Sequence, residues 1–232
     1  MDSDHAVIWR RSGSARNART VVVWVMVSSS RVPATVDRSA HLITHTEDVR
    51  DRKHLEAELH HRALHDPLTG LANRALLAQR IREVQARYLR HARPSHLFYL
   101  DLDGFKAVND RFGHSVGDAV LTQLAQRITA LLRPDDTAAR VGGDEFVVLC
   151  EDTEPHHAAA IAQRLRDAAA EPFLIDGIEL VLSAAVGGCP AYVADPVDLL
   201  READQRMYET KRRRRAEAVP GVSRGGSAGA TG

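Results

Sequence analysis

The segment Arg140-Val-Gly-Gly-Asp-Glu-Phe-Val-Val-Leu149 constrains the fold most, because two glycines interrupt two strand-like runs and so specify a β-hairpin. Its tip also carries two acids. Without Cβ atoms, Gly142 and Gly143 let the phosphates of a ligand approach the main chain, while Asp144 and Glu145 offer the hard oxygen ligands that Mg²⁺ prefers. The alternative is a plain hairpin with a polar tip.

A second acidic segment favours the site. Leu97-Phe-Tyr-Leu-Asp-Leu-Asp-Gly-Phe-Lys106 reads as a buried strand that ends in Asp101 and Asp103, on the same face by alternation, followed by a loop carrying Lys106. Paired beside the hairpin, this strand brings Asp101, Asp144 and Glu145 together around one or two divalent ions, Mg²⁺ or Mn²⁺, that hold a triphosphate. Lys106 then neutralises phosphate charge. Taken singly, the aspartates also fit a solvated strand end and the lysine an ordinary surface cation.

Composition bounds the partners. A length of 232 residues and a mass of 25.5 kDa suit one full domain plus flanking pieces. Lys plus Arg (31) equals Asp plus Glu (31), so no basic excess points to nucleic acid, and any nucleotide partner is expected to be small. Cys150 and Cys189 are too few for a disulfide framework and are expected to be small buried hydrophobes. The apolar run at 21–27 is far too short to cross a bilayer and is β-branched, so the expectation is a cytoplasmic chain without a membrane partner.

Over 65–216 the pattern predicts helix, strand, helix, hairpin, helix, hairpin, helix. Leu121, Leu124, Ile128 and Leu131 have helical spacing, 158–170 is another helix, Asp176-Gly177 is a hairpin turn and Asp195-Pro196 opens the last helix. These elements imply an α/β (α+β) sandwich with a central antiparallel sheet. Residues 51–64 read as a charged linker helix with Leu55 and Leu59 on one stripe, and 217–232 as a disordered tail rich in Gly, Ser and Ala.

Four motifs in order carry a resemblance: Asp66-Pro-Leu-Thr-Gly-Leu-Ala-Asn-Arg74, Asp101-Leu-Asp-Gly-Phe-Lys-Ala-Val-Asn-Asp110, Phe112-Gly-His-Ser-Val-Gly-Asp118 and Arg140-Val-Gly-Gly-Asp-Glu-Phe146. Over about 64–215 the chain resembles a GGDEF domain, the catalytic module of diguanylate cyclases. The resemblance implies a ferredoxin-like palm shared with nucleotidyl cyclases. It also implies a nucleotidyltransferase that condenses two GTP into cyclic di-GMP and two pyrophosphates across a homodimer. Asp101 and Asp144 are then metal ligands, Leu102 gives a backbone carbonyl, Lys106 stabilises the transition state, and Glu145 is a ligand or base.

The same resemblance assigns guanine to Asn109 and Asp118, whose side chains complement the purine edge. For Asp118, helix capping before Leu121 is the alternative. His114, in the same loop, either touches the nucleotide or orders the loop. Phosphates fall to Gly142, Gly143, Lys211 and Arg215. Here the chain departs from the family: Thr210 precedes Lys211, and Arg214-Arg215-Ala216 replaces Gly-Arg-Asn, which could extend the helix and redirect Arg215 or let Arg212 to Arg214 substitute. A solvated basic helix end is the alternative.

Arg133 and Asp136, an Arg-x-x-Asp pair, together with Arg164, resemble the family's product-inhibition site, with a surface ion pair as the alternative. Two strand-like runs at 21–28 and 41–45 resemble the closing strands of a PAS sensor domain, so 1–50 is either a partial PAS-like remnant or an irregular extension. A competing function is a catalytically idle domain that binds cyclic di-GMP.

Overall fold

A computed structural model of the chain describes residues 5–10, 22–34, 36, 39–192 and 195–218, without the side chains of 5–10, 22–24, 57 and 215–218. Two compact units result, Met1–Ala63 and Leu64–Gly232. The tail expected to be disordered lies outside the described residues. In the first unit, β1 (His5–Arg10), β2 (Val22–Val32) and β3 (His41–Asp48) form an antiparallel sheet in the order β1-β2-β3. Sequence periodicity did not anticipate β1. Helix α1 (Arg50–Leu64) follows, with Leu55 and Leu59 56% and 57% exposed and ion pairs Lys53–Glu56 and Arg62–Glu58 along it.

The second unit contains α2 (Arg74–His91), β4 (His96–Asp103), α3 (Phe105–Phe112), α4 (His114–Leu131), β5 (Thr137–Gly142) and β6 (Glu145–Cys150). It continues with a 3-10 turn (Pro155–His157), α5 (Ala158–Ala170), β7 (Phe173–Ile175), β8 (Ile178–Leu180), β9 (Ser183–Pro190) and α6 (Pro196–Ala218). The central sheet is antiparallel, in the order β5-β6-β4-β9, which gives the expected α+β, ferredoxin-like palm. Two details differ from the sequence pattern. The helix expected after β4 is two helices, because Gly113 at φ 87° breaks the chain where an L side chain is disfavoured. The second hairpin, β7-β8, is a separate ribbon, and β9 is a further strand that completes the central sheet.

Strand β4 explains the layering. With neighbours on both edges and helices on both faces, its first five residues are all buried, which is why Leu97 to Leu100 read as an unbroken apolar run. Phe98, Leu100 and Leu102 pack with Val120, Leu121, Leu124 and Ile128 of α4 and Leu165 of α5. On the other face, Leu97 and Tyr99 pack with Leu77, Ile81 and Val84 of α2 and Leu199, Ala203 and Met207 of α6. Each fully buried Leu or Ile contributes about 1.5–3 kcal/mol.

Caps set the ends of these helices. The Asn73 side chain accepts hydrogen bonds from the main-chain N–H groups of Ala75 and Leu76, and Asp195 accepts one from Val197. Both cysteines are buried, and burial pushes the Cys150 thiol up to about 12 and Cys189 to about 11. No helix among the described residues is long and apolar enough to cross a membrane.

A close backbone contact joins α6 to β9. A Cβ on Gly187 would overlap the main-chain nitrogen of Met207, so the helix backbone rests directly on the strand. Lys211 lies one turn beyond Met207 on the same face, and this contact therefore fixes where the lysine stands. Replacing Gly187 by Ala should lower stability by about 1–3 kcal/mol in denaturant unfolding, because the obstructing atoms are backbone and cannot rotate away.

Candidate active site

The site is assembled at one end of the β4–β6 ladder. Asp101 pairs with Glu145 across that ladder, and alternation puts both side chains on the α2 and α6 face, with Tyr99 and Val147 one step behind. The ladder with β6 stops there, whereas the ladder with β9 runs on to Asp103 and Ser183. Leu102 and Asp103 thus leave one main-chain edge outside the β4–β6 ladder, beside the hairpin turn. The Leu102 side chain itself is buried on the opposite face.

Gly142 faces Glu145, and Gly143 and Asp144 form the turn. Neither glycine has a positive φ, so here the absence of a side chain matters for space rather than for backbone conformation. A Cβ at Gly142 would come within 2.5 Å of Glu145 Oε2, while one at Gly143 would meet nothing within 4 Å. Glu145 therefore folds over the first glycine, and the second leaves open space.

Two cations, Lys211 and Arg140, organise the acids of this region. Lys211 Nζ lies 2.5 Å from Asp101 Oδ1 and 3.6 Å from Asp103 Oδ1, with the lysine and Asp101 side chains both under one-fifth exposed. Ser183 Oγ donates to Asp103 Oδ2 at 2.9 Å. Arg140 donates through Nε and Nη2 to the Gly143 carbonyl at 3.0 and 2.8 Å and through Nη1 to both oxygens of Asp66. Asp66 also accepts from Thr69 N–H and Oγ1, an Asx-type turn that orients it. Burial opposes ionisation of Asp66, but the bonds from Thr69 and Arg140 outweigh it and hold the carboxyl below the usual range. Arg214 turns to the Ala184 carbonyl at 2.7 Å, while Arg212 and Arg213 are exposed. Helix α6 continues past 215 to Ala218, and the Arg215 side chain lies outside the described residues.

Lys106 stands exposed in the first turn of α3, and among the described residues it makes no ion pair. Asn109, His114 and Asp118 lie on α3 and α4, with His114 and Asp118 exposed. The Asn109 Oδ1 atom is buried without a hydrogen-bond partner, and a Cβ on Gly117 would overlap it. Capping by Asp118 is ruled out: α4 begins at His114, so Asp118 lies inside the helix.

Arg133, Asp136 and Arg164 line a separate cavity of about 280 Å³ between the end of α4, β6 and the start of α5. Asp136 is not tied up with the Arg133 side chain, as a surface ion pair would require. Its carboxylate instead accepts from the main-chain N–H groups of Arg133 and Glu151, both at 3.0 Å, and Arg164 donates to the Leu131 carbonyl at 3.2 Å.

Sequence reasoning singled out neither Asp66 and Arg140 as a clamp, nor Tyr99, nor Gly117 as the partner of Asn109. The available signals were an Asp three residues before a Thr and an Arg two residues before the Gly-Gly pair; the pairing itself spans 74 residues.

Burial pushes the Asp144 carboxyl above its usual range and repulsion from Asp101 adds to this, while its own backbone hydrogen bond, Lys211 and Arg140 act the other way. With a folded value above the unfolded one, the native state holds more protons in that window. Its relative stability is then fully present below the usual aspartate value and lost as pH rises through the raised value. In metal-free buffer, Asp144→Asn should raise the melting temperature at neutral pH. The gain should shrink to nothing on acidification, as read by pH-dependent thermal unfolding.

Residues 63–217 match the family described as Diguanylate cyclase, GGDEF domain. The bifunctional diguanylate cyclase/cyclic di-GMP phosphodiesterase MucR of Pseudomonas aeruginosa is 43% identical over 157 residues, covering 66% of this chain and 23% of MucR. The chain thus spans under a quarter of that relative's length. Among solved structures, the GGDEF domain of TpbB from Pseudomonas aeruginosa is similar with a TM-score of 0.61 and 38% identity, covering 64% of this chain and 89% of that one. The coiled coil and GGDEF domain of DgcB from Caulobacter crescentus, in complex with c-di-GMP, is similar with a TM-score of 0.62 and 26% identity, covering 70% and 87%. By fold, motif order and this match over most of its length, the chain belongs to the diguanylate cyclase GGDEF domain family.

Proposed function

We propose that the chain is a diguanylate cyclase: two copies face each other, each holding one GTP, and condense them to cyclic di-GMP with release of two pyrophosphates. The observation that carries this reading is the meeting of Asp101, Asp103 and Glu145 on one sheet face under Lys211, beside a turn that Arg140 clamps. A partly buried cation over paired acids marks a place where charge balance is decided locally, as phosphoryl transfer requires.

The donor set suits a hard ion. Among the described residues, no three His, Cys, Asp or Glu side chains gather into a closed metal cage. Mg²⁺ commonly takes one or two carboxylates and completes its shell with phosphate oxygens and water. Asp101, Asp144, the Leu102 carbonyl and Glu145 would hold it, or Mn²⁺, on that pattern. When bound, the ion lowers the pKa of the attacking hydroxyl and balances charge at the α-phosphate.

The chain's own residues do the rest. Lys211 exchanges its carboxylate partners for phosphate oxygens, and Lys106 adds a second positive charge from the start of α3. Gly143 leaves the approach to the turn open, and Arg215 extends the phosphate contacts. Asn109 and Asp118 accept the N–H donors of guanine, a pair that adenine lacks; the partnerless buried Oδ1 of Asn109 supports this reading. His114 borders the same nucleotide. Glu145 takes the proton of the 3′-hydroxyl or ligates the ion. The 3′ oxygen forms a bond to the other nucleotide's α-phosphorus as the bond to pyrophosphate breaks, so neither copy turns over alone.

Residues 65–216 would then be the catalytic domain, acting in the cytoplasm where GTP is available. The N-terminal strands would be the closing part of a PAS-like sensor, with 51–64 as its linker helix. Cyclic di-GMP would return to Arg133, Asp136 and Arg164 as an inhibitor, since the guanidiniums suit phosphate and guanine stacking.

Incubation of the chain with GTP and Mg²⁺ should give cyclic di-GMP that rises more than linearly with protein concentration, and Asp144→Ala should abolish it. Absence of product at every concentration overturns the cyclase reading. The cavity at Arg133 favours a second reading, a cyclic di-GMP receptor without turnover. In that case calorimetry should show product binding by the intact chain and at least about tenfold weaker binding by Arg133→Ala.

A further inference from the structure

A second cavity, of about 270 Å³, lies between α2 and α6 and has no part in the reading above. Its rim carries Arg74, Arg82 and Arg201 against one acid, Asp204. Arg201 is paired to Asp198 at 2.5 Å, whereas no ion pair engages Arg74 or Arg82 among the described residues. The floor includes the buried side chains of Leu200 and Tyr99. The cavity falls just below the ~300–1,000 Å³ typical of drug-sized ligands, so its occupant is small.

Tyr99 gives this cavity a connection. The residue is only 4% exposed, stands one step behind Asp101 on the same strand face and is diagonal to Glu145 across the β4–β6 ladder. Burial and the nearby negative charge of Glu145 push the Tyr99 hydroxyl well above its usual range, and the charges of Asp204 and Arg74, both lining the cavity, act on the same hydroxyl. Tyr99 therefore touches the cavity from one side and the candidate active site from the other.

We propose that the α2–α6 cavity binds a small organic phosphate, an apolar body carrying one phosphate group, and that occupancy is felt at Glu145 through Tyr99. Guanidinium groups offer paired N–H donors that match phosphate oxygens, and the floor of Leu200 and Tyr99 accepts the apolar part. A phosphate that draws Arg74 toward itself or pushes Asp204 away changes the field at the Tyr99 hydroxyl, and with it the field at Glu145 beside it. Binding in the cavity is independent of the cyclase reading; its consequence for catalysis rests on that reading.

The test uses the full chain and phenyl phosphate, followed by ¹H–¹⁵N NMR without GTP or metal. Saturable shifts are expected in the amides of 74–82 and 199–204, with the Glu145 amide moving in step. Inorganic phosphate, lacking the apolar body, should bind more weakly. Arg74 also borders the hollow beside Gly142 and Gly143, so the reporting variant is Arg82→Gln with Arg201→Gln, expected to weaken binding about tenfold or more. Tyr99→Phe should keep the cavity shifts and lose the Glu145 shift. The site is overturned if no shift saturates, if shifts centre on the hairpin turn or the Arg133 cavity, or if the double variant binds as the parent does. Equal affinity for inorganic phosphate overturns the apolar part, and an undiminished Glu145 shift in Tyr99→Phe overturns the relay.

Discussion

The structure of the second unit depends on one strand that must be apolar for most of its length and charged at its end. Strand β4 is buried on both faces and paired on both edges, so each of its first residues contributes to one core or the other. Its last residues, Asp101 and Asp103, project into the same layer as Leu97 and Tyr99. Two carboxylates at the border of a core would be costly without a counter-ion. Lys211 and Ser183 supply the compensation: Ser183 faces Asp103 across the β4–β9 ladder, and Lys211 reaches the strand end because α6 rests on the backbone of β9 at Gly187.

The hairpin turn is held by the same economy of charge. Arg140 spans the Gly143 carbonyl and Asp66, so a guanidinium with fixed geometry ties the turn to the loop before α2. Rigidity at the turn matters because at Asp144, unlike at Asp66, burial and a neighbouring carboxylate prevail over the groups that favour its charge. The candidate site is thus a place where the folded chain concentrates unfavourable negative charge and restrains it from outside, and a cation arriving there would relieve it.

The groups around this palm are spatially distinct. The acids and Lys211 lie on the α2 and α6 side, Asn109 and Asp118 lie on the α3–α4 pair, and Arg133 with Arg164 lie at the far end of α4. Strand β6 connects two of these places: it starts at Glu145 in the candidate site and ends at Cys150 in the Arg133 cavity wall. The two places therefore share one buried strand.

Sequence alone determined the local grammar. An apolar run gave β4, alternation gave the shared face of Asp101 and Asp103, the helical spacing of Leu121, Leu124 and Ile128 gave the core face of α4, and four ordered motifs gave the family. These are legible because they depend on periods of two or 3.6 residues and on short spacings. Only the tertiary structure decided that Lys211 covers Asp101, that Arg140 clamps Asp66, that Gly117 makes room for Asn109 and that β9 completes the sheet. Those relations join residues far apart in the chain or depend on whether one Cβ fits, and no local pattern encodes a distance that the packing of the whole domain creates.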